Sequence, residues 1–150
     1  MTESKDNVIV FVYGTLKRGG PNNYLMDSIN AEYLGDAGLK DHALYGIGNL
    51  PVAVSEDNNS VYGEIWKVPS PGMLYLDMLE NNGKAYTRKV VTVNTMDGNQ
   101  VEAWFYEFTM TSVSNVPFVK KIESGVWDLN SEFGILGKVM DQARRFRKII

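Results

Sequence analysis

Val8-Ile9-Val10-Phe11-Val12-Tyr13-Gly14-Thr15-Leu16-Lys17-Arg18-Gly19-Gly20 decides how the rest of the chain is read. Its first six residues are all β-branched or aromatic, which predicts a buried strand, and the run stops at Gly14, which predicts a turn. The three glycines after the strand invite comparison with a phosphate-binding loop. Gly14 and Gly19 have the required spacing, but Gly20 stands where the lysine should be and Pro21 where the Ser/Thr should be, so the Walker pattern fails. Two readings stay open: a plain structural turn, or a turn whose backbone N–H groups, flanked by Lys17 and Arg18, hold a carboxylate or another small anion. Gly46-Ile47-Gly48 carries less, because the third position of a dinucleotide fingerprint is not Gly or Ala.

Outward from this segment, further strands are expected over residues 43–47, 52–55, 61–68, 86–94 and 101–108. They are separated by the turn-forming clusters Asp57-Asn58-Asn59, Asn81-Asn82-Gly83 and Asp97-Gly98-Asn99. Asp97-Gly98 between two strand-like runs predicts a hairpin, since both residues tolerate positive φ. A short helix opens with Ser70 as N-cap and Pro71 at the first helical position, closes near Asn82-Gly83, and buries Met73, Leu76 and Leu79. A second short helix is expected over residues 24–31, and a third over 136–146. Many strands, few helices and no βαβ rhythm predict an α+β chain whose mixed or antiparallel sheet curls into a small barrel.

At 150 residues, with 44% hydrophobic and 22% charged residues, the chain has the size and composition of a single globular domain. It has no cysteine, which excludes a Cys nucleophile, a thiolate zinc site and a disulfide framework, and favours a cytoplasmic setting. One histidine, His42, cannot build a His-based metal cage; it reads as a turn residue without a role. The N-terminus lacks the pattern of a signal peptide, and no apolar run is long enough for a membrane span. Of the net charge of −3, the last fourteen residues carry +4, leaving −7 on the preceding 136. An acidic body argues against nucleic-acid binding.

Three sets of residues could carry chemistry. Asp77 and Glu80 lie three apart on the expected helix and share a face. Near the helix C-terminus, the dipole and Asp77 would both disfavour ionisation of Glu80 and move it toward the range of a general base; the alternative is two solvated surface charges. Glu64, inside Val61-Tyr62-Gly63-Glu64-Ile65-Trp66, competes for that role but reads as a water-facing position on a strand. Finally, Tyr86 and Arg88 share one face of a strand, and Trp104, Phe105 and Tyr106 stand on another; these are core residues or a ligand lining.

In order along the chain stand Tyr13-Gly14-Thr15-Leu16, Ala43-Leu44-Tyr45 with Gly48 and Pro51, Val61-Tyr62-Gly63-Glu64, and Leu76-Asp77-x-Leu79-Glu80. Tyr86-x-Arg88, Ala103-Trp104-x-Tyr106 and Ile122-x-Ser124-Gly125-x-Trp127 follow. On these motifs the chain resembles the γ-glutamylcyclotransferase-like family, in particular its small AIG2-like and γ-glutamylamine cyclotransferase branch, over residues 8–127. The resemblance implies a small β-barrel with flanking short helices and a cavity floored by the glycine loop. It implies an enzyme that cyclises a γ-glutamyl amine or peptide to 5-oxoproline and releases the free amine, without metal or other cofactor.

Glu80 would be the general acid/base, the amides of Gly14, Thr15 and Leu16 would bind the substrate α-carboxylate, and Tyr13, Tyr86, Arg88 and Tyr106 would complete the pocket. The expected partner is a small γ-glutamyl molecule, not a nucleic acid or a membrane. Two features depart from the family pattern: Asn81-Asn82-Gly83 follows the glutamate where a glycine is usual, and residues 128–150 form an extension with helical character. Two other readings compete: a pocket that captures a different small anion, such as a nucleotide-derived metabolite, through Lys17, Arg18 and Arg88, and an interaction module built on residues 136–150.

Overall fold

The computed structural model describes residues 7–48, 50–80, 86–108 and 119–128. The expected helix over 136–146 and the Asn81-Asn82-Gly83 turn lie outside the described residues. Among the described residues, six strands and two helices follow one another as β1 (Asn7–Val12), α1 (Tyr24–Ser28), β2 (Glu32–Ile47), β3 (Leu50–Pro69), α2 (Ser70–Leu79), β4 (Tyr86–Thr95), β5 (Gln100–Phe108) and β6 (Val119–Ile122). The strands hydrogen-bond in the order β3-β1-β5-β4-β2-β6, and β3 also pairs with β2. That extra pairing closes β3, β1, β5, β4 and β2 into a barrel, with β6 added to the outer end of β2. Among the described residues the pairings are antiparallel except β1 with β5, which meet in parallel at Val10 and Trp104.

The unbroken apolar run of β1 follows from its position. Phe11 and, just beyond the strand, Tyr13 point into a cluster supplied by all five barrel strands, including Leu39, Val61, Ile65, Val93 and Phe105. Val10 and Val12 point the other way, into a cluster with Leu25 and Met26 of α1 and Met73, Leu76 and Leu79 of α2. Both faces are therefore dry, which is why the inner half of the strand is a continuous apolar run.

Several boundaries differ from the sequence expectation. Residues 57–59 do not separate two strands. β3 runs through them, and the excursion of residues 56–59 is absorbed where Lys40 pairs with Ser60 but His42 pairs with Ser55. Asp41 and Asn58 take positive φ at this kink, and Asp41 Oδ1 accepts the Asn58 N–H at 3.2 Å. The kink folds the tip of the β2–β3 hairpin back so that Leu50 and Pro51 reach the end of the barrel. The first half of β2 and all of β6 were not expected as strands. α1 ends at Ser28, with Asn30 in positive φ, and the N-cap of α2 is Pro69 while Ser70 is already helical. The Asp97-Gly98 hairpin is present, with Gly98 at φ +88° and its N–H bonded to the Thr95 carbonyl. His42 is no turn residue: it is buried in β2, edge-on to Phe105, with Nδ1 against the Lys40 carbonyl.

Close pairing of β1 and β3 depends on Gly63, where a Cβ would fall 2.1 Å from the Val12 carbonyl oxygen. Gly63→Ala is expected to destabilise the fold by about 1–3 kcal/mol, the usual cost of overpacking. Denaturant unfolding measures this, and an unchanged midpoint contradicts the β1–β3 register.

Candidate active site

A pocket opens at the barrel end where β1 runs into its glycine loop. Counting its mouth, it holds about 520 Å³ of space outside the protein. The floor is the loop Tyr13-Gly14-Thr15-Leu16 with Asn22; the walls are Leu50 and Pro51 from the hairpin tip, Leu79 and Glu80 from the end of α2, Tyr86 from the start of β4 and Tyr106 from the end of β5. A Cβ on Gly14 would stand 2.5 Å from Pro51 Cγ, so glycine is what lets the hairpin tip close over the loop.

The tyrosine hydroxyls join the walls to one another. Tyr13 donates to the Tyr106 carbonyl at 2.9 Å, Tyr86 donates to the Pro51 carbonyl at 3.0 Å, and Tyr106 donates to Asp77 Oδ1 at 2.7 Å. Burial raises the Tyr13 phenol well above its ordinary range; Tyr106 is raised too, first by burial and then by its bond to Asp77. Both therefore remain protonated donors. Asp77 also pairs with Arg88 at 3.4 Å, and the Arg88 guanidinium lies over the Trp104 ring, 4.5 Å from its centre. Arg88 thus sits behind the wall, as a partner of Asp77, and is not a lining residue.

Glu80 is the one charged residue among the described residues that line the pocket. It caps α2, is partly buried, and its carboxyl is pushed up to about 7 by burial. The cause differs from the local one read in the sequence. Asp77 is occupied by Arg88 and Tyr106, and desolvation by the pocket walls shifts Glu80.

Across the pocket, the loop is folded by its own carbonyls. Gly14 accepts from the Lys17 N–H, Lys17 from that of Gly20, and Thr15 from that of Asn22, while Asn22 Nδ2 reaches Thr15 Oγ1 and Asn23 Nδ2 reaches the Leu16 carbonyl. The N–H groups of Gly14, Thr15 and Leu16 have no hydrogen-bond partner among the described residues. Three successive amide donors on the pocket floor suit an anion.

The two cations of this loop do not line the pocket. Lys17 is half-buried, its pKa is lowered by desolvation, and it donates to the Trp127 carbonyl at 3.0 Å. Arg18 lies over the Tyr33 ring at 3.6 Å and pairs with Glu64 at 3.4 Å and with Asp36 at 3.7 Å. Glu64 does not face water: it is buried, and also accepts the Arg18 N–H and the Trp66 indole N–H, each at 3.0 Å. The structure therefore brings together Tyr13, Gly14, Thr15, Leu16, Glu80, Tyr86 and Tyr106, and leaves Lys17, Arg18 and Arg88 outside. Sequence reasoning missed Asn22, Leu50 and Leu79 as lining residues. Pro51 stood among the family motifs without a role.

The model of the AIG2-like gamma-glutamyl cyclotransferases matches residues 10–129, which include every lining residue of this pocket. The chain belongs to that family. Among its relatives is the gamma-glutamylcyclotransferase family protein YtfP of Escherichia coli K12, 34% identical over 118 residues that cover 79% of this chain and 94% of YtfP. The solution structure of E. coli YtfP superposes with a TM-score of 0.59 at 33% identity, over 79% of this chain and 95% of that one. The crystal structure of a mouse AIG2-like protein superposes with a TM-score of 0.74 at 25% identity, over 85% of this chain and 92% of that one. The barrel with short helices is thus the γ-glutamylcyclotransferase fold. No described helix is long and apolar enough to cross a membrane.

The raised pKa of Glu80 has a consequence for stability. The folded protein holds this proton more tightly than the unfolded chain, so the stabilising contribution is complete below about pH 4.5 and is lost as pH rises through about 7. Glu80→Gln should therefore be more stable than the parent at pH 8. Thermal unfolding at several pH values should show this advantage growing between pH 4.5 and 7 and flat above; a constant offset means that burial does not shift Glu80.

Proposed function

We propose that this member cyclises a γ-glutamyl amine or γ-glutamyl peptide to 5-oxoproline and releases the free amine, with Glu80 as general acid and base. The observation that carries the reading is the pairing within one pocket of a desolvated carboxylate with a floor of unpaired amides. The amides of Gly14, Thr15 and Leu16 hold the substrate α-carboxylate, which points the α-amine toward Glu80. The rings of Tyr13, Tyr86 and Tyr106 keep the glutamyl chain folded. Glu80 takes a proton from the α-amine as that nitrogen attacks the γ-carbonyl carbon. The new C–N bond closes a five-membered lactam, the bond to the departing nitrogen breaks, and Glu80 returns the proton to it. No water is consumed.

This chemistry suits the residues available. The nucleophile belongs to the substrate, so the protein supplies geometry and one proton carrier. A carboxylate poised near 7 is basic enough to accept the proton and acidic enough to give it back. Capture of a different anion by Lys17, Arg18 and Arg88 lacks such support, because all three lie outside the pocket lining.

The test is 5-oxoproline release from γ-glutamyl amines, γ-glutamyl dipeptides and γ-glutamyl-ε-lysine by the parent protein and Glu80→Gln. Turnover by the parent is expected, with a loss of about 10²–10⁴-fold in the variant, the usual worth of a general base. Full turnover in folded Glu80→Gln contradicts the assignment of Glu80, and silence of the parent across the panel contradicts the reaction. The rate profile is a separate check. Since the base must be ionised, kcat/KM should fall on the acid side with an inflection near pH 7.

A further inference from the structure

We infer that Glu64 is the positioning residue for the amide floor of the pocket, and that it acts through the reach of one oxygen rather than through its charge. Glu64 pairs in register with Val12, the last residue of β1, and so stands at the root of the glycine loop. Its Oε1 accepts two N–H groups at once, the backbone amide of Arg18 and the indole of Trp66, each at 3.0 Å. Trp66 is buried and meets the Tyr33 ring edge-on, so the indole fixes where Oε1 lies. Oε1 in turn fixes the Arg18 amide, which follows directly on the Lys17 amide that closes the turn onto the Gly14 carbonyl. The main chain that carries the Gly14, Thr15 and Leu16 amides is thereby held between β1 and a buried oxygen of β3.

Charge has a different partner. Oε2 meets Arg18 Nε at a longer 3.4 Å, and Arg18 is half exposed and shared with Asp36. The guanidinium end of this pair is open to solvent and divided between two carboxylates, and its contact is longer than the two 3.0 Å bonds that Oε1 accepts. A buried acceptor that leaves a backbone donor unpaired when removed contributes more. Neither Glu64 nor Trp66 lines the pocket, so their influence on a ligand passes through the loop.

The function of this clamp rests on the proposed carboxylate-binding role of the loop, but the clamp itself can be read without a substrate. Glu64→Gln keeps a carbonyl oxygen at full reach and removes the charge; Glu64→Asp keeps the charge and withdraws the oxygen by one methylene. Amide hydrogen exchange at Lys17, Arg18 and Asn22 is measured in the parent and both variants, beside the KM and kcat for 5-oxoproline release from γ-glutamyl-ε-lysine and the Kd for added 5-oxoproline. Glu64→Gln should exchange like the parent. Glu64→Asp should exchange at least about tenfold faster at these three amides, with β1 unchanged, and should weaken KM or Kd about as much while kcat holds, the mark of lost uniform binding.

The reverse order, Asp like the parent and Gln impaired, overturns the proposal in favour of charge. Equal exchange in all three proteins overturns it outright. If the parent neither turns over nor binds these compounds, the carboxylate role of the loop fails, while hydrogen exchange still decides the clamp.

Discussion

Desolvation of one carboxylate is the constraint on which the rest of the site depends. Glu80 ends a short helix, and in water it would be an ordinary solvated acid. Its shift to about 7 comes from walls that other parts of the chain bring to it, so the machinery of the site is largely machinery for keeping those walls in place. The kink at Asp41 and residues 56–59 turns the hairpin tip inward, Gly14 makes room for Pro51, and Tyr86 fastens the Pro51 carbonyl. Asp77, one turn before Glu80, anchors α2 to β4 and β5 through Arg88 and Tyr106. That carboxylate beside Glu80 is therefore spent on structure, and the two acids of the helix have separate tasks.

The opposite side of the pocket is built from backbone. Its donors are amides whose direction is set by the turn after β1, and the turn is secured by Asn22, Asn23, Lys17 and Glu64. Groups fixed before a ligand arrives lose little freedom on binding it, which is how a small pocket with a single charged wall can still orient a substrate. In the proposed reaction that orientation matters most, because both reacting atoms belong to one flexible molecule.

Much of this was legible in the sequence because it is written locally. β1, β4, β5 and α2 each carry their own signal: a β-branched run, alternation interrupted by Asp97-Gly98, and Ser70-Pro71 before Met73, Leu76 and Leu79. The glycine loop and Glu80 were marked by residue type and by their order along the chain. What could not be read is set by distant partners. The first half of β2, with Gly35, Asp36, Gly38 and Lys40, is a strand because β3 pairs with it. Glu64 reads as a solvated strand residue until Arg18, 46 positions away, is seen to bind it. Lys17 and Arg18 next to a glycine loop suggest an anion site by composition, yet their side chains reach Trp127, Asp36 and Glu64 instead. The high pKa of Glu80 was expected from the helix dipole and Asp77, whereas its cause is burial, a property of the assembled pocket.

Burial in the assembled pocket sets the acidity of Glu80. The most direct test is a pH titration of the Glu80 side-chain carboxyl carbon by NMR in the free protein. An inflection near 7 is expected; an inflection near the ordinary 4.5 would mean that the pocket does not desolvate this carboxyl.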